Sequence, residues 1–302
     1  MLLLILSAQD VNTIIAALPS AELEAPMASE FRRLSSGSHY ASPQKTSITI
    51  RFCPTSPEDK CGLPTSTTLL DEESGHAEEI VNASAQTALR SAASSVLATH
   101  LLLSEPPSSL VAFGAGKQIE VHLDLHIRAF LSLKRCTIVN PSTNAHLENL
   151  LFVLRQSHPL ISLKGLSLDN TTNLRSAIGH ANWVSLGTHL NRVGSFKPGM
   201  VEVDCGLISR SETIVIDSIE ACAIETRELI AAGLSAGDMT EIGQLVEEWD
   251  CQDGPGEVQM RKGDVMVFKS VGIGLRDVAI ARCVVSKAEN LGIGTTVVDF
   301  HV

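Results

Sequence analysis

The residues best placed to do chemistry are Gly114, Ala115 and Gly116, which follow the apolar run Ser109-Leu110-Val111-Ala112-Phe113 and precede a segment opening with Lys117 and Gln118. A strand, a glycine turn and a helix in that order form the context that a dinucleotide fingerprint requires. The first glycine permits the tight turn and the second lets backbone approach a pyrophosphate. The helix offers that anion its free N–H groups and the positive end of its dipole. The third fingerprint position holds Ile119 in place of a small residue, which predicts a looser helix–strand contact. At the end of the next strand an NAD site usually carries an acidic residue for the ribose hydroxyls. This chain has Asn140-Pro141-Ser142-Thr143-Asn144 there, so NADP suits it at least as well as NAD. Lys134 and Arg135 precede that strand, and no nearby arginine is well placed for an extra phosphate.

Other constellations point to less. His122 and His126 stand four apart on one predicted helix and could face one ion. No HExxH surrounds them and no third ligand is suggested, so they read as ordinary helix residues and no metal site is expected. Glu241, Glu247, Glu248, Asp250 and Asp253 read as a solvated acidic face. Seven cysteines without a CxxC pair suit reduced, buried thiols. With 23 basic residues against 34 acidic ones, a net charge of −11 and no long basic run, nucleic acid is excluded as a partner. The apolar residues 2–6 lack a charged leader and are too short for a signal or a membrane span, so a cytoplasmic location without a membrane partner is expected.

A chain of 302 residues, 44% of them hydrophobic, is long enough for two domains with a core each. Residues 2–6 predict a strand, and Ser7 with Asp10 a capping box ahead of a helix carrying Val11, Ile14, Ile15 and Leu18. Strands over 46–53 and 66–70, followed by the turn 71–75, predict a small sheet with a hairpin. Residues 83–103 lack Gly and Pro and predict one long helix, broken at Pro106-Pro107, where a domain boundary belongs. Next comes a βαβαβ unit: strand 109–113, helix 117–132, strand 136–140, helix 144–156 and strand 160–166. Strands near 188–193, 213–217 and 265–269, a helix over 275–290 and a strand over 295–302 complete the chain. A doubly wound half needs another buried strand between Ala177 and Trp183, where only Ile178-Gly179-His180-Ala181-Asn182 stand, so a central strand is missing.

Five stretches, taken together and in order, resemble the ornithine cyclodeaminase/mu-crystallin family. They are Gly62-Leu63-Pro64 with Leu70-Asp71-Glu72, residues 87–94 (TALRSAAS), residues 114–118 (GAGKQ), residues 187–195 (GTHLNRVGS), and Phe268-Lys269-Ser270-Val271-Gly272 with Asp277. The resemblance implies an α/β fold, with a Rossmann-type doubly wound sheet over 106–285 inserted into a smaller α+β substrate and dimerisation domain, 1–105 plus 286–302. It implies a homodimer that binds NADP or NAD and transfers hydride at a carbon bearing an amino or imino group. Such a protein is an imine or ketimine reductase or an amino-acid dehydrogenase acting on a small amino or keto acid derivative. Ornithine cyclodeaminase and a catalytically inactive cofactor-binding homologue are the alternatives.

Residue by residue, Arg90 matches the family arginine that holds the substrate carboxylate, a task suited to a planar bidentate donor. Lys45 takes the place of a second arginine, whose fork an ammonium cannot reproduce. A strand lysine of the family aligns with Thr49, and Arg51, two residues along the same face, offers a cation by another route. The stretch between Lys45 and Arg51 is shorter than the family's by about one strand and turn. The cofactor set implied is Gly114, Ala115, Gly116, Lys117, Gln118, Asn140, Ser142, Lys269, Val271, Gly272 and Asp277. Phe196 stands two residues after Gly194, where cyclodeaminases carry an acid/base aspartate, so simple hydride transfer to an imine is favoured over cyclodeamination.

Overall fold

In a computed structural model, described for residues 2–37, 47–51, 65–71, 73–168, 188–194, 202–203, 205–251 and 265–301, the chain opens with β1 (Leu3–Leu6) and α1 (Ala8–Ala17). The capping box forms reciprocally: Asp10 N donates to Ser7 Oγ at 3.2 Å and Ser7 N to Asp10 Oδ2 at 2.9 Å. α2 (Ser20–Ser35) was not expected, because Pro19 and Pro26 punctuate it. A proline inside a helix costs about 3 kcal/mol. The buried stripe Leu23, Met27 and Phe31 outweighs that, each side chain returning roughly 1.5–3 kcal/mol. β2 (Ser47–Arg51), β3 (Thr65–Leu70) and β4 (Ala77–Asn82) form an antiparallel ladder, and β4 lies parallel to β1. The β3–β4 turn closes on Asp71, whose Oδ1 accepts the Ser74 N–H at 2.8 Å. α3 (Gln86–Leu102) follows.

β5 (Ser109–Phe113), α4 (Lys117–Ala129), β6 (Arg135–Asn140), α5 (Ala145–Ser157) and β7 (Ser162–Ser167) make the expected βαβαβ unit, with parallel order β5-β6-β7. Gly165 lets α5 sit tightly on β7, since a Cβ there would lie 2.8 Å from Leu151 Cδ1. The chain continues through β8 (Thr188–Arg192), α6 (Cys205–Ser209), β9 (Ser211–Ile216), α7 (Ile219–Glu225), α8 (Arg227–Ala231), β10 (Thr240–Glu241), α9 (Ile242–Cys251) and β11 (Val265–Lys269). These strands make a second parallel sheet, order β10-β9-β11-β8, over a core of Ile208, Ile214, Ile216, Cys222, Leu229 and Met239. Among the described residues β5 and β8 each end their own sheet. The gap read between Ala177 and Trp183, the shortened stretch after Lys45 and Phe196 lie outside the described residues. Glu241 departs from the solvated acidic face expected of it, because its Oε1 accepts the Ile219 N–H at 2.9 Å and caps α7.

The chain ends with α10 (Gly274–Leu291) and β12 (Thr295–Val297), which pairs antiparallel with β1 and completes the sheet β12-β1-β4-β3-β2. β12 stops short of the predicted strand because residues 298–301 turn, with Asp299 at φ 56°. Two units result: Met1–Arg90 with Ile273–Val302, and Ser91–Gly272. The divisions fall at 90/91 and 272/273 and not at 105/106 and 285/286. The second has a clear cause: α10 packs on α1, α2 and β3 and buries Ile280, Ala281, Val284 and Ala288 there. A Rossmann-type α/β unit is thus inserted into a smaller α+β unit. No helix among the described residues is long and apolar enough to cross a membrane.

Candidate functional site

The glycine turn lies in Ser91–Gly272. Gly114 has φ +107°, a conformation that favours glycine, and its N–H donates to Val139 O at 2.7 Å, bending the chain away from β5. Gly116 is the N-cap of α4 and brings no side-chain acceptor, so the first-turn N–H groups are not capped by it. Ile119 lies against this turn, its Cγ1 3.5 Å from where a Gly114 Cβ would stand, an ordinary packing distance. Gln118 Oε1 is buried without a hydrogen-bond partner, and Lys117 pairs at 2.6 Å with Glu120 on the exposed side. At the end of β6, buried Asn140 donates from Nδ2 to Ser142 O at 2.8 Å, holding the turn into α5, while Ser142 is exposed. Lys134 and Arg135 lie at the other end of that six-residue strand. A rise of about 3.3 Å per residue puts them roughly 17 Å from Asn140, too far to reach a phosphate there.

A second cluster in the same unit, at the carboxyl ends of β8, β9 and β11, went largely unread in the sequence. Asp217 is fully buried, and its Oδ2 accepts Ser270 Oγ at 2.9 Å and the Val271 and Gly272 N–H groups at 3.0 Å each. One carboxylate therefore shapes the whole 270–272 segment. Lys269, read as a cofactor contact, is fully buried and donates to Glu202 Oε2 at 2.8 Å, while Arg192 Nη2 lies 3.6 Å from the same oxygen. Burial raises the Glu202 carboxyl, but Lys269 and then Arg192 reverse this and hold it below the ordinary range. The legible signal for Asp217 was its place: a carboxylate directly after the apolar strand Thr213-Ile214-Val215-Ile216. Nothing in the sequence tied Glu202 to Lys269, 67 residues away.

The third cluster belongs to the other unit. Arg90 is buried in α3, with Nε 2.9 Å from Asp277 Oδ1 and Nη1 donating to Ile273 O at 3.1 Å. Asp277 lies in the first turn of α10, where a carboxylate also suits the helix dipole. These two residues, read separately as substrate clamp and cofactor contact, are therefore ion-paired. Arg51 ends β2 opposite Thr65, and Lys45 lies outside the described residues.

His122 and His126 turn inward along α4. The His122 ring bonds Gln118 O at 2.8 Å and Ser95 Oγ at 3.3 Å, and the His126 ring bonds His122 O at 2.7 Å. Burial pushes both imidazoles down, His126 to about 3, and pushes His189 on β8 down to about 4. Among the described residues no three His, Cys, Asp or Glu gather as metal ligands. Cys136 and Cys222 are buried free thiols, and Cys283 is a partly exposed one.

Residues 166–291 match the model of the ornithine cyclodeaminase/mu-crystallin family. A Delta(1)-pyrroline-2-carboxylate reductase of Bacillus cereus is 34% identical over 131 residues, covering 41% of this chain and 38% of that protein's length. The ketimine reductase mu-crystallin of Mus musculus is 28% identical over 224 residues, covering 72% of this chain and 67% of the relative. The solved Thermococcus litoralis Delta(1)-pyrroline-2-carboxylate reductase, in complex with NADH and L-proline, superposes with a TM-score of 0.76 at 19% identity, covering 97% of this chain and all of the other. The last likeness concerns the fold, and the first two carry sequence. The glycine turn, the braced 270–272 segment and these matches make the chain similar to the ornithine cyclodeaminase/mu-crystallin family, and it spans less than half the length of the reductase that it matches at 34% identity.

Proposed function

We propose that the protein is an NAD(P)H-dependent reductase of small cyclic or open-chain imino acids. The observation that carries the reading is the glycine turn: Gly114 at positive φ delivers the chain to an N-terminus of α4 that its own cap residue leaves open. Such an end, beside the carboxyl edge of a parallel sheet, suits a pyrophosphate. Gly114, Ala115 and Gly116 line it with backbone, and Lys117 and Gln118 begin the helix. Asn140 and Ser142 stand where a ribose or its phosphate is read, with neither an acidic residue for NAD nor a close cation for NADP at that strand end among the described residues. Lys269, Val271 and Gly272 belong to the nicotinamide end of the same reading, and Asp277 to the Arg90 pair.

When bound, the dihydronicotinamide supplies a hydride to the imine carbon while the imine nitrogen takes a proton from solvent, giving an amino acid and oxidised cofactor. Arg90 holds the substrate carboxylate through its guanidinium, oriented by Asp277 and Ile273 O, and Lys45 or Arg51 supplies a second cation. Phe196 cannot shuttle a proton, which sets cyclodeamination of ornithine behind imine reduction. The working form is a homodimer in the cytoplasm, in keeping with the exposed apolar residues Leu2, Val298 and Phe300 flanking β1 and β12. The test is reduction of pyrroline-2-carboxylate and open-chain imino acids, followed by loss of NADH or NADPH absorbance. Turnover with imino acids and none with ornithine is expected; release of ammonia from ornithine, or no turnover with any of them, contradicts the reading.

A further inference from the structure

Glu202 lies outside any helix or strand, yet its carboxylate joins three parts of Ser91–Gly272. Oε1 accepts the Gly194 N–H at 2.6 Å, Oε2 accepts Lys269 Nζ at 2.8 Å, and Arg192 Nη2 approaches Oε2 to 3.6 Å. Lys269 and Arg192 are register partners on the neighbouring parallel strands β11 and β8, so both cations lie on one face of the sheet. Their side chains are 0% and 4% exposed, and that of Glu202 is 26% exposed. A buried ammonium without a carboxylate is strongly disfavoured, so the seat of Glu202 is tied to the place of Lys269. Gly194 suits the seat: a Cβ there would stand 2.7 Å from Glu202 Oε1, so a larger residue requires the carboxylate to shift.

We propose that Glu202 is a positioning residue for the dinucleotide cofactor, fastening the turn at Gly194 to the end of β11 and thereby holding the Ser270-Val271-Gly272 segment in one conformation. Asp217 braces that segment directly through Ser270 Oγ and the two N–H groups, and Glu202 anchors the Lys269 from which it departs. Glu202 is not a proton donor in this scheme, since Lys269 and Arg192 keep it ionised. The proposal rests on the reductase reading given above, in which this segment meets the nicotinamide.

The test uses the full chain, the Glu202→Gln variant, and a Glu202→Asp variant that keeps a carboxylate beside Lys269 and Arg192. Cofactor affinity is read from nicotinamide fluorescence, and segment order from amide hydrogen exchange at Gly194 and residues 270–272 without cofactor. Glu202→Gln is expected to weaken cofactor binding about tenfold, the scale of one lost charged hydrogen bond. Turnover at saturating cofactor stays within about twofold, exchange at those amides quickens, and Glu202→Asp recovers part of the affinity. Unchanged exchange, or quickened exchange with unchanged cofactor affinity, overturns the proposal. If the unsubstituted protein binds neither cofactor, the reductase reading falls and takes the cofactor role of Glu202 with it. The exchange result then still separates a fastening carboxylate from an idle one.

Discussion

Removing the Asp277 carboxylate should unfasten the Arg90 cluster and cost far more than an ordinary surface change. The two side chains are 7% and 8% exposed and meet at 2.9 Å, so Asp277→Ala takes the carboxylate away from a guanidinium in a dry site that still donates to Ile273 O just ahead of α10. Breaking a buried pair from one side typically costs about 3–5 kcal/mol, whereas replacing both partners with apolar residues is often neutral. Asp277→Asn keeps the shape and a hydrogen-bond acceptor but loses the charge, and should cost about 1–3 kcal/mol. Arg90→Met/Asp277→Leu should then be more stable than Asp277→Ala. Urea unfolding followed by far-UV circular dichroism measures all three. A loss below about 1 kcal/mol for Asp277→Ala, or a double variant no better than the single, refutes a buried, interdependent pair. The same substitution should raise the KM for the imino acid more than the Kd for the cofactor, because it acts through Arg90.

Stability should fall on acidification through the buried histidines. His126 and His189 have folded pKa values depressed to about 3 and about 4. Their neutral forms are favoured by folding, so this stability is fully present above the unfolded value of about 6.5 and is lost as pH falls through it toward the folded values. Each contributes a slope of up to about 1.4 kcal/mol per pH unit in that window, read from urea midpoints between about pH 7.5 and about pH 5. A flat profile there contradicts the burial of these rings. Gly165→Ala forces a methyl to within 2.8 Å of Leu151 Cδ1 and should destabilise by about 1–3 kcal/mol, measurable by thermal melting. Gly114→Ala places a side chain at φ +107° and should cost about 1–3 kcal/mol while abolishing cofactor binding by titration.

Much of the architecture was legible because local rules and tertiary packing agree. The capping box of Ser7 and Asp10, the strand–glycine–helix run from Ser109, and the apolar strand Val265–Lys269 all form where pattern places them. α2 escaped because two prolines speak against a helix locally, while the reward for Leu23, Met27 and Phe31 comes only from tertiary burial. The site was less legible for a similar reason. Backbone-driven parts such as Gly114 and Gly116 announce themselves by spacing. The charge pairs Arg90 with Asp277 and Lys269 with Glu202 join residues far apart in sequence, so Arg90, Asp277 and Lys269 each read alone as a ligand contact, and Glu202 is not singled out, until the fold closes the pairs.

The most direct test of the central claim is titration of the purified protein into NADPH and NADH, following nicotinamide fluorescence. Saturable binding of at least one, abolished by Gly114→Ala, is the result the glycine turn predicts. Folded protein that binds neither contradicts the assignment of an NAD(P)-dependent reductase.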